Sequence, residues 1–469
     1  MKPIFALSLA ALVTMGCRSR PVDDEVRRDP VATPDAAPPE PLRHVWSKVF
    51  TGGGDRLPRD LAGDRAGNLT IVGRFSNTVD WGNGPVVSSG GTDAFVVSLD
   101  AAGGVRFARG LGGSGYDEAF AVAMHDDGSV RIGGGLVGSA DFGTGSIGTG
   151  VESAPFLATL GPDGKTRDAR VLSGRGEVRG LVAAADTFVA GRDLVAKACK
   201  LQSQVIAARV GPAGEVRWTT CLEDHGFGGA ERIALAPNGD VVVCGTFRAN
   251  LILGGKTIVM QDKEFMYVAS SPELPFVARL AGDTGAPIWV KAGLAKESVK
   301  SLGLAVAPDG SIALGGQFFG DLDFAGQKFA ATRYGDGFVV ELGPDGAPRF
   351  GLAFADPNEA DAVAGLAYSE GWLVAGKAGP GVKIGSATAK AAGAFVARIA
   401  RTGEVSWARR FRGGSPIGLV RGAGIGLAGD LFTSAGTATA IDLGGGPLTG
   451  APLDGGTRFE TFVANFNGP

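Results

Sequence analysis

From about residue 43 onward, apolar and polar residues alternate in short runs, and each run is cut by a turn rich in glycine or aspartate. A period of two over a few residues marks a strand with one covered face; long helices would not leave this pattern. The runs form a repeat. A strand leads into a polar turn, and a second strand ends on glycine, as in DLAGDRAGNLTIVGRF around Gly73. The same unit places Gly134, Gly191, Gly245, Gly316, Gly376 and Gly436 at intervals of 54 to 71 residues. A third strand follows each glycine, as in DAFVVSLD, PFVARL and TFVANF. A tight turn comes next, carrying Gly103, Gly164, Gly214, Gly285, Gly346 or Gly403, where glycine accepts the positive φ that other residues resist. The fourth strand often carries an aromatic residue: Trp46, Phe107, Trp218, Trp289, Phe350 or Trp407.

A four-stranded unit of this length cannot cover both of its faces alone, so successive units must stack around an axis. The expected fold is all-β, a seven-bladed β-propeller with four-stranded blades. Seven third strands and seven fourth strands are joined by only six turns. The unmatched fourth strand is HVWSKVF at the start of the domain, and the unmatched third strand is TFVANF at its end. The N-terminal strand is therefore expected to lie outermost in the last blade and to close the ring.

The first residues read differently. Lys2 precedes the apolar run IFALSLAALVTM, which has signal-peptide length and is too short to span a bilayer. It ends in Gly16-Cys17, which resembles a bacterial lipobox, although Thr14 stands where such boxes favour Leu. The resemblance implies removal of residues 1–16 and lipidation of Cys17, and Arg18 after it implies the outer membrane. Each acyl CH₂ buried is worth about 0.8 kcal/mol, so several chains on one cysteine anchor firmly. Residues 17–42 are rich in proline and charge and poor in large apolar groups, the composition of a flexible tether. The propeller is expected over 43–469. The protein is thus expected to be exported and lipid-anchored at the outer membrane or cell surface; a periplasmic or secreted soluble form is the alternative.

Composition narrows the chemistry. The 469 residues would ordinarily suggest two or three domains, but the repeat overrides length. Seventy-eight glycines suit many turns, and a net charge of −3 without a basic stripe excludes a nucleic-acid surface. The histidines His44, His125 and His225 lie far apart, without metal spacing or a nucleophile beside them. No Gly-rich segment continues into Gly-Lys-Ser/Thr, so no phosphate loop is expected. Asp80-Trp81-Gly82, Asp141-Phe142-Gly143, Asp323-Phe324 and Asp442-Leu443-Gly444 recur at one place in four units, where Ile252 and Lys383 stand in two others. One carboxylate per unit is too few for calcium, and a turn whose Asp accepts backbone N–H groups explains it better. Cys199, Cys221 and Cys244 align with small or apolar repeat positions; a Cys199–Cys221 disulfide is the alternative.

The segments GGSGYDEAFAVAMHDDGSVRIGG at 112–134 and LGLAVAPDGSIALGGQF at 302–318 resemble the bacterial seven-bladed β-propeller (SBBP) repeat family. That resemblance implies a fold and an envelope compartment, and no reaction. AGDTGAPIWVKAG resembles the Thr-Gly-x-x-x-Trp element of quinoprotein propellers but occurs once, so Trp289 is read as a strand aromatic and no cofactor is expected. The largest departure from the repeat lies between Gly245 and Gly316. It adds Met260, Phe265, Met266 and Tyr267, either a partner-binding patch or a packed extra hairpin. The expected role is that of a monomeric scaffold, with no catalysis evident, binding an envelope protein or polysaccharide. The alternative is a hydrolase or lyase at the mouth of the central channel, for which Asp117, Glu118, Glu231 and Asp361 would have to converge.

Overall fold

The computed structural model describes residues 42–467 except 173, 196–198, 200–202, 224–227, 249, 254, 261–271, 387–391, 422–424, 435–439 and 451–456. The described chain is all-β and antiparallel. Seven leading strands begin seven four-strand sets: Arg56–Gly63, Glu118–Met124, Arg175–Ala183, Gly229–Leu235, Val299–Val306, Ala362–Tyr368 and Ser415–Arg421. The first set continues through Leu69–Phe75, Asp93–Leu99 and Val105–Leu111, each strand beside the one before it. The third and fourth sets share one continuous sheet through the pair Arg192–Gly229.

The burial pattern follows from stacking. Third strands such as Asp93–Leu99, Leu274–Leu280, Asp336–Leu342 and Gly393–Ile399 are buried along their whole length. That is why they read as near-continuous apolar runs rather than alternating ones. Each buried Val, Leu or Phe contributes roughly 1.5–3 kcal/mol. Every leading strand packs against the leading strand of the next set, and Ser415–Arg421 packs against Arg56–Gly63.

In the seventh set the order runs Ser415–Arg421, Ile425–Ser434, Thr457–Asn467, Arg43–Phe50. The chain's first described strand is thus the outer neighbour of its last, with Ser47 opposite Ala464 and Phe50 opposite Thr461.

Fourth-strand aromatics tie one set to the next. Trp46 lies over Gly103, Phe107 over Gly164, Trp218 over Gly285, Trp289 over Gly346 and Phe350 over Gly403, and these turn glycines have φ between +71° and +88°. The three tryptophans donate their indole N–H groups to turn carbonyls, Trp46 to Ala101 (2.8 Å), Trp218 to Gly282 (3.1 Å) and Trp289 to Pro344 (3.0 Å). Trp407 is the exception. It faces the one set without such a turn, and its buried indole nitrogen has no partner among the described residues.

Two boundaries differ from the sequence reading. Leu42, assigned to the tether, is buried in the core of the sixth and seventh sets, and its carbonyl accepts from Arg409. In the seventh repeat the glycine equivalent to Gly73 is Gly429, which pairs with Pro416 and Phe462. Gly436 lies outside the described residues. The strand continues past Gly429 to Ser434, so the sequence pattern points to the later glycine.

Candidate functional site

A single device builds the centre of the molecule. Each leading strand pairs with its second strand through a bulge, an extra residue that the partner does not match. The extra residue is Arg59 in the first set, Phe120 in the second, Arg179 in the third and Glu231 in the fourth. It is Ala364 in the sixth and Ile417 in the seventh, and the fifth set bulges between Lys300 and Gly303. The repeat glycine is what admits the bulge. Gly73, Gly134, Gly245 and Gly376 sit opposite the residue just before it. A Cβ there would fall 1.9–2.1 Å from a leading-strand carbonyl oxygen.

The six named bulge residues line one central cavity of about 760 Å³, joined by Val299 and Lys300 from the fifth set. Its wall is divided. On the first five sets it presents Arg59, Arg179, Arg192, Arg232, Arg248 and Lys300 together with Glu231 and Glu273. On the sixth and seventh it presents Ala362, Ala364, Pro416 and Ile417.

The charges are networked. Arg192 bridges Glu231 (2.7 Å) and Glu273 (3.0 Å), and Glu273 also holds Arg248 (2.7 Å). Glu118 pairs with Arg59 and, at 3.7 Å, with Arg74. Arg179 pairs with Glu177 (2.7 Å) while stacking 3.9 Å over the Phe120 ring. Asp60 accepts the Val122 N–H across two sheets; burial holds its carboxyl above the ordinary value, against the pull of Arg232. These six cations face five carboxylates, and Lys300, which also lines the cavity, brings the excess to two positive charges. Thr246 also lines the cavity, only 2% exposed, and its hydroxyl has no partner among the described residues.

Asp117, Glu118, Glu231 and Asp361 have different partners, and of the four only Glu231 lines the cavity. Asp117 accepts the N–H groups of Gly113 (2.7 Å) and Val137 (3.0 Å). Asp361 accepts those of Asp356 (2.6 Å) and Gly379 (2.5 Å). The recurrent aspartates make turns. Asp80 accepts from Gly82 and Gly84, Asp141 from Gly143 and Gly145, Asp442 from Gly444 and Gly446, and Asp323 from Gly326. The residues after them, Trp81, Phe142, Phe324 and Leu443, are fully buried, and Trp81 meets Phe50 of the seventh set. No group of three or more metal-binding side chains occurs among the described residues.

Cys199 and Cys221 are joined by a disulfide, with Cα atoms 5.7 Å apart. Cys244 is buried in the core, and burial pushes its thiol up to about 12. Met260 ends the strand Lys256–Met260, which pairs with Asn250–Leu253; Phe265, Met266 and Tyr267 lie outside the described residues.

Burial also sets a pH dependence. It pushes Asp361 up to about 6, against its two backbone N–H donors and with the neighbouring charges of Asp356 and Asp336 adding to the rise. Burial raises Asp60, Asp93 and Asp117 as well. A carboxyl whose folded pKa exceeds its unfolded one contributes stability at low pH that is lost as pH rises through the folded value. His44, lowered by burial, works the other way. Ser129 holds Asp127 down at about 2, so its contribution is lost only in stronger acid. The melting temperature is therefore expected to rise between pH 7.5 and 5, less steeply in Asp361→Asn. A steady fall over that range in the wild type would contradict these assignments.

No family model and no curated protein matches the chain. Among solved structures, Sqt1 from Chaetomium thermophilum is 12% identical, with a TM-score of 0.42 over 91% of this chain and 100% of that one. A structure described as the Dos1 propeller is 8% identical, with a TM-score of 0.43 over 90% of this chain and 95% of that one. The quinohemoprotein alcohol dehydrogenase of Comamonas testosteroni is 11% identical, with a TM-score of 0.38 over 90% of this chain and 76% of that one. None of these likenesses bears on the chemistry of the cavity.

Proposed function

We propose that residues 43–469 form a seven-bladed β-propeller of the SBBP-repeat type, closed by the N-terminal strand. In this reading the domain is an exported scaffold tethered through Cys17, and it binds an envelope polysaccharide or protein in its central cavity. Closure is supported by the pairing of Arg43–Phe50 with Thr457–Asn467, by Trp46 reaching the first set's turn, and by contact between the first and last leading strands. Export and anchoring are supported by the apolar run ending at Gly16-Cys17.

One observation carries the binding role. Bulges on successive leading strands turn their extra side chains into a single cavity, whose volume lies within the roughly 300–1,000 Å³ common for ligand sites. A bulge that merely relieved strain would not need to vary from Arg to Phe to Glu to Ile.

The test fills the cavity. Ala364→Trp is expected to leave cooperative unfolding intact and to abolish retention of the envelope component that the wild-type domain binds from a panel of envelope polysaccharides and solubilised proteins. Equal retention by the two would overturn the assignment. Metabolic labelling with an alkyne fatty acid, lost in Cys17→Ser, tests the anchor separately.

A further inference from the structure

We infer that the cavity takes an acidic oligosaccharide, a short run of uronate sugars. The inference rests on reading the cavity as the ligand site and names the ligand's class.

The charged wall has the wrong make-up for a simple anion hole. Arg192 and Arg248 already share Glu231 and Glu273, so an anion placed there meets two carboxylates. Donors and acceptors fixed side by side suit hydroxyl groups instead, because each hydroxyl gives one hydrogen bond and accepts others. Thr246 fits this reading. Its hydroxyl is buried at the cavity wall without a partner among the described residues, which is costly unless a ligand supplies one. It sits beside the same network, since its backbone pairs with Gly229, which also pairs with Arg192.

The two surplus positive charges then specify an acid. Lys300 makes no ion pair among the described residues and holds its ammonium 5.3 Å from the Phe319 ring, while Arg179 pairs with Glu177 and its buried Nε has no hydrogen bond among those residues. Both line the cavity. A carboxylate that reaches either cation gains a charge-assisted hydrogen bond that a neutral sugar cannot reproduce. The opposite wall, with Pro416 and Ile417, offers apolar surface to the C–H face of a sugar ring. An acidic peptide would satisfy the cations, but it brings few hydroxyls to the Arg–Glu network and to Thr246.

The experiment titrates the whole domain with trigalacturonate, with neutral galactotriose and with triglutamate, at low and high salt. Trigalacturonate is expected to bind about tenfold or more tightly than galactotriose at low salt, and the gap is expected to shrink at high salt. Thr246→Val is expected to weaken both sugars about five- to tenfold. Lys300→Gln and Arg179→Gln should weaken the acidic sugar alone. Equal affinity for both sugars would overturn the acidic assignment while leaving the cavity as the ligand site. Binding of triglutamate in preference to trigalacturonate would overturn the saccharide. If no probe binds and Ala364→Trp still retains the envelope component, the cavity itself is the wrong site.

Discussion

Deleting residues 43–50 is expected to remove on the order of 5 kcal/mol or more, enough to abolish a cooperative unfolding transition in a domain of ordinary stability. The strand is short, but its losses fall at a junction. Phe50 is buried against Trp81, and Trp46 both covers Gly103 and donates to Ala101. Without the strand, Thr457–Asn467 becomes a free edge with an unpaired ladder, an invitation to pair with another chain. The same junction holds a fully buried ion pair, Arg56 with Glu460 at 3.3 Å, and burial lowers the Arg56 pKa to about 10. Water entering the seam would exchange that pair for solvated charges and leave the first and seventh sets held by the packing of Leu61 and its neighbours against Ala428 and Val463. Urea unfolding followed by tryptophan fluorescence checks this. A deletion variant with a wild-type midpoint would show that the strand is dispensable.

The second large effect is expected at a glycine. Gly73→Ala should cost about 3 kcal/mol or more, because its Cβ would lie 2.1 Å from the Leu57 carbonyl oxygen and 2.8 Å from the Phe95 ring. Neither neighbour has room to give. The carbonyl belongs to the strand that bulges at Arg59, and Phe95 is fully buried. Any relaxation must flatten the bulge, which would swing Arg59 out of the cavity wall. The variant is therefore expected to lose stability and ligand binding together. Gly53→Ala is the control, since its nearest neighbour would be an ordinary 3.8 Å away and the expected change is within about 0.5 kcal/mol. Thermal unfolding of the two variants side by side decides the matter. Equal melting temperatures would mean that the repeat glycine is a habit of the sequence and not a steric need.

Much of the scaffold was legible because its causes are local. A two-residue period, a glycine at a positive-φ turn and a count of turns against strands need no knowledge of which strand neighbours which. They were enough to put 44–50 at the edge of the last set, where Arg43–Phe50 is found. The recurrent aspartates were readable for the same reason, since an Asp-x-Gly turn is made within a few residues. The lining of the cavity was not. A bulge exists only relative to a partner strand, so a list of strands hides it. A signal was nevertheless present. The position two residues before the apolar residues Leu61, Val122, Leu181, Ile233, Leu366 and Leu419 holds Arg59, Phe120, Arg179, Glu231, Ala364 and Ile417. Within the repeat, that site changes chemistry from copy to copy, as does the one after it. Variation there marks the cavity-lining surface, whereas the insertion around Met260 stands out by its length and its apolar residues. Trp407 shows the converse. Its indole, without a partner among the described residues, cannot be read from its own repeat, because the acceptor in the other sets comes from the turn of the following one.

Closure of the ring by the chain's own first strand is the claim on which the cavity depends, and one cross-link addresses it directly. Ser47 and Ala464 lie opposite each other in neighbouring antiparallel strands, within the Cα separation that a disulfide spans. The double variant Ser47→Cys, Ala464→Cys, oxidised in the folded state, is predicted to join the two ends of the domain in a single chain. It should migrate with altered mobility on a non-reducing denaturing gel and revert with reductant. If the variant folds and both thiols remain free after oxidation, the two strands are not neighbours and the closed ring is wrong.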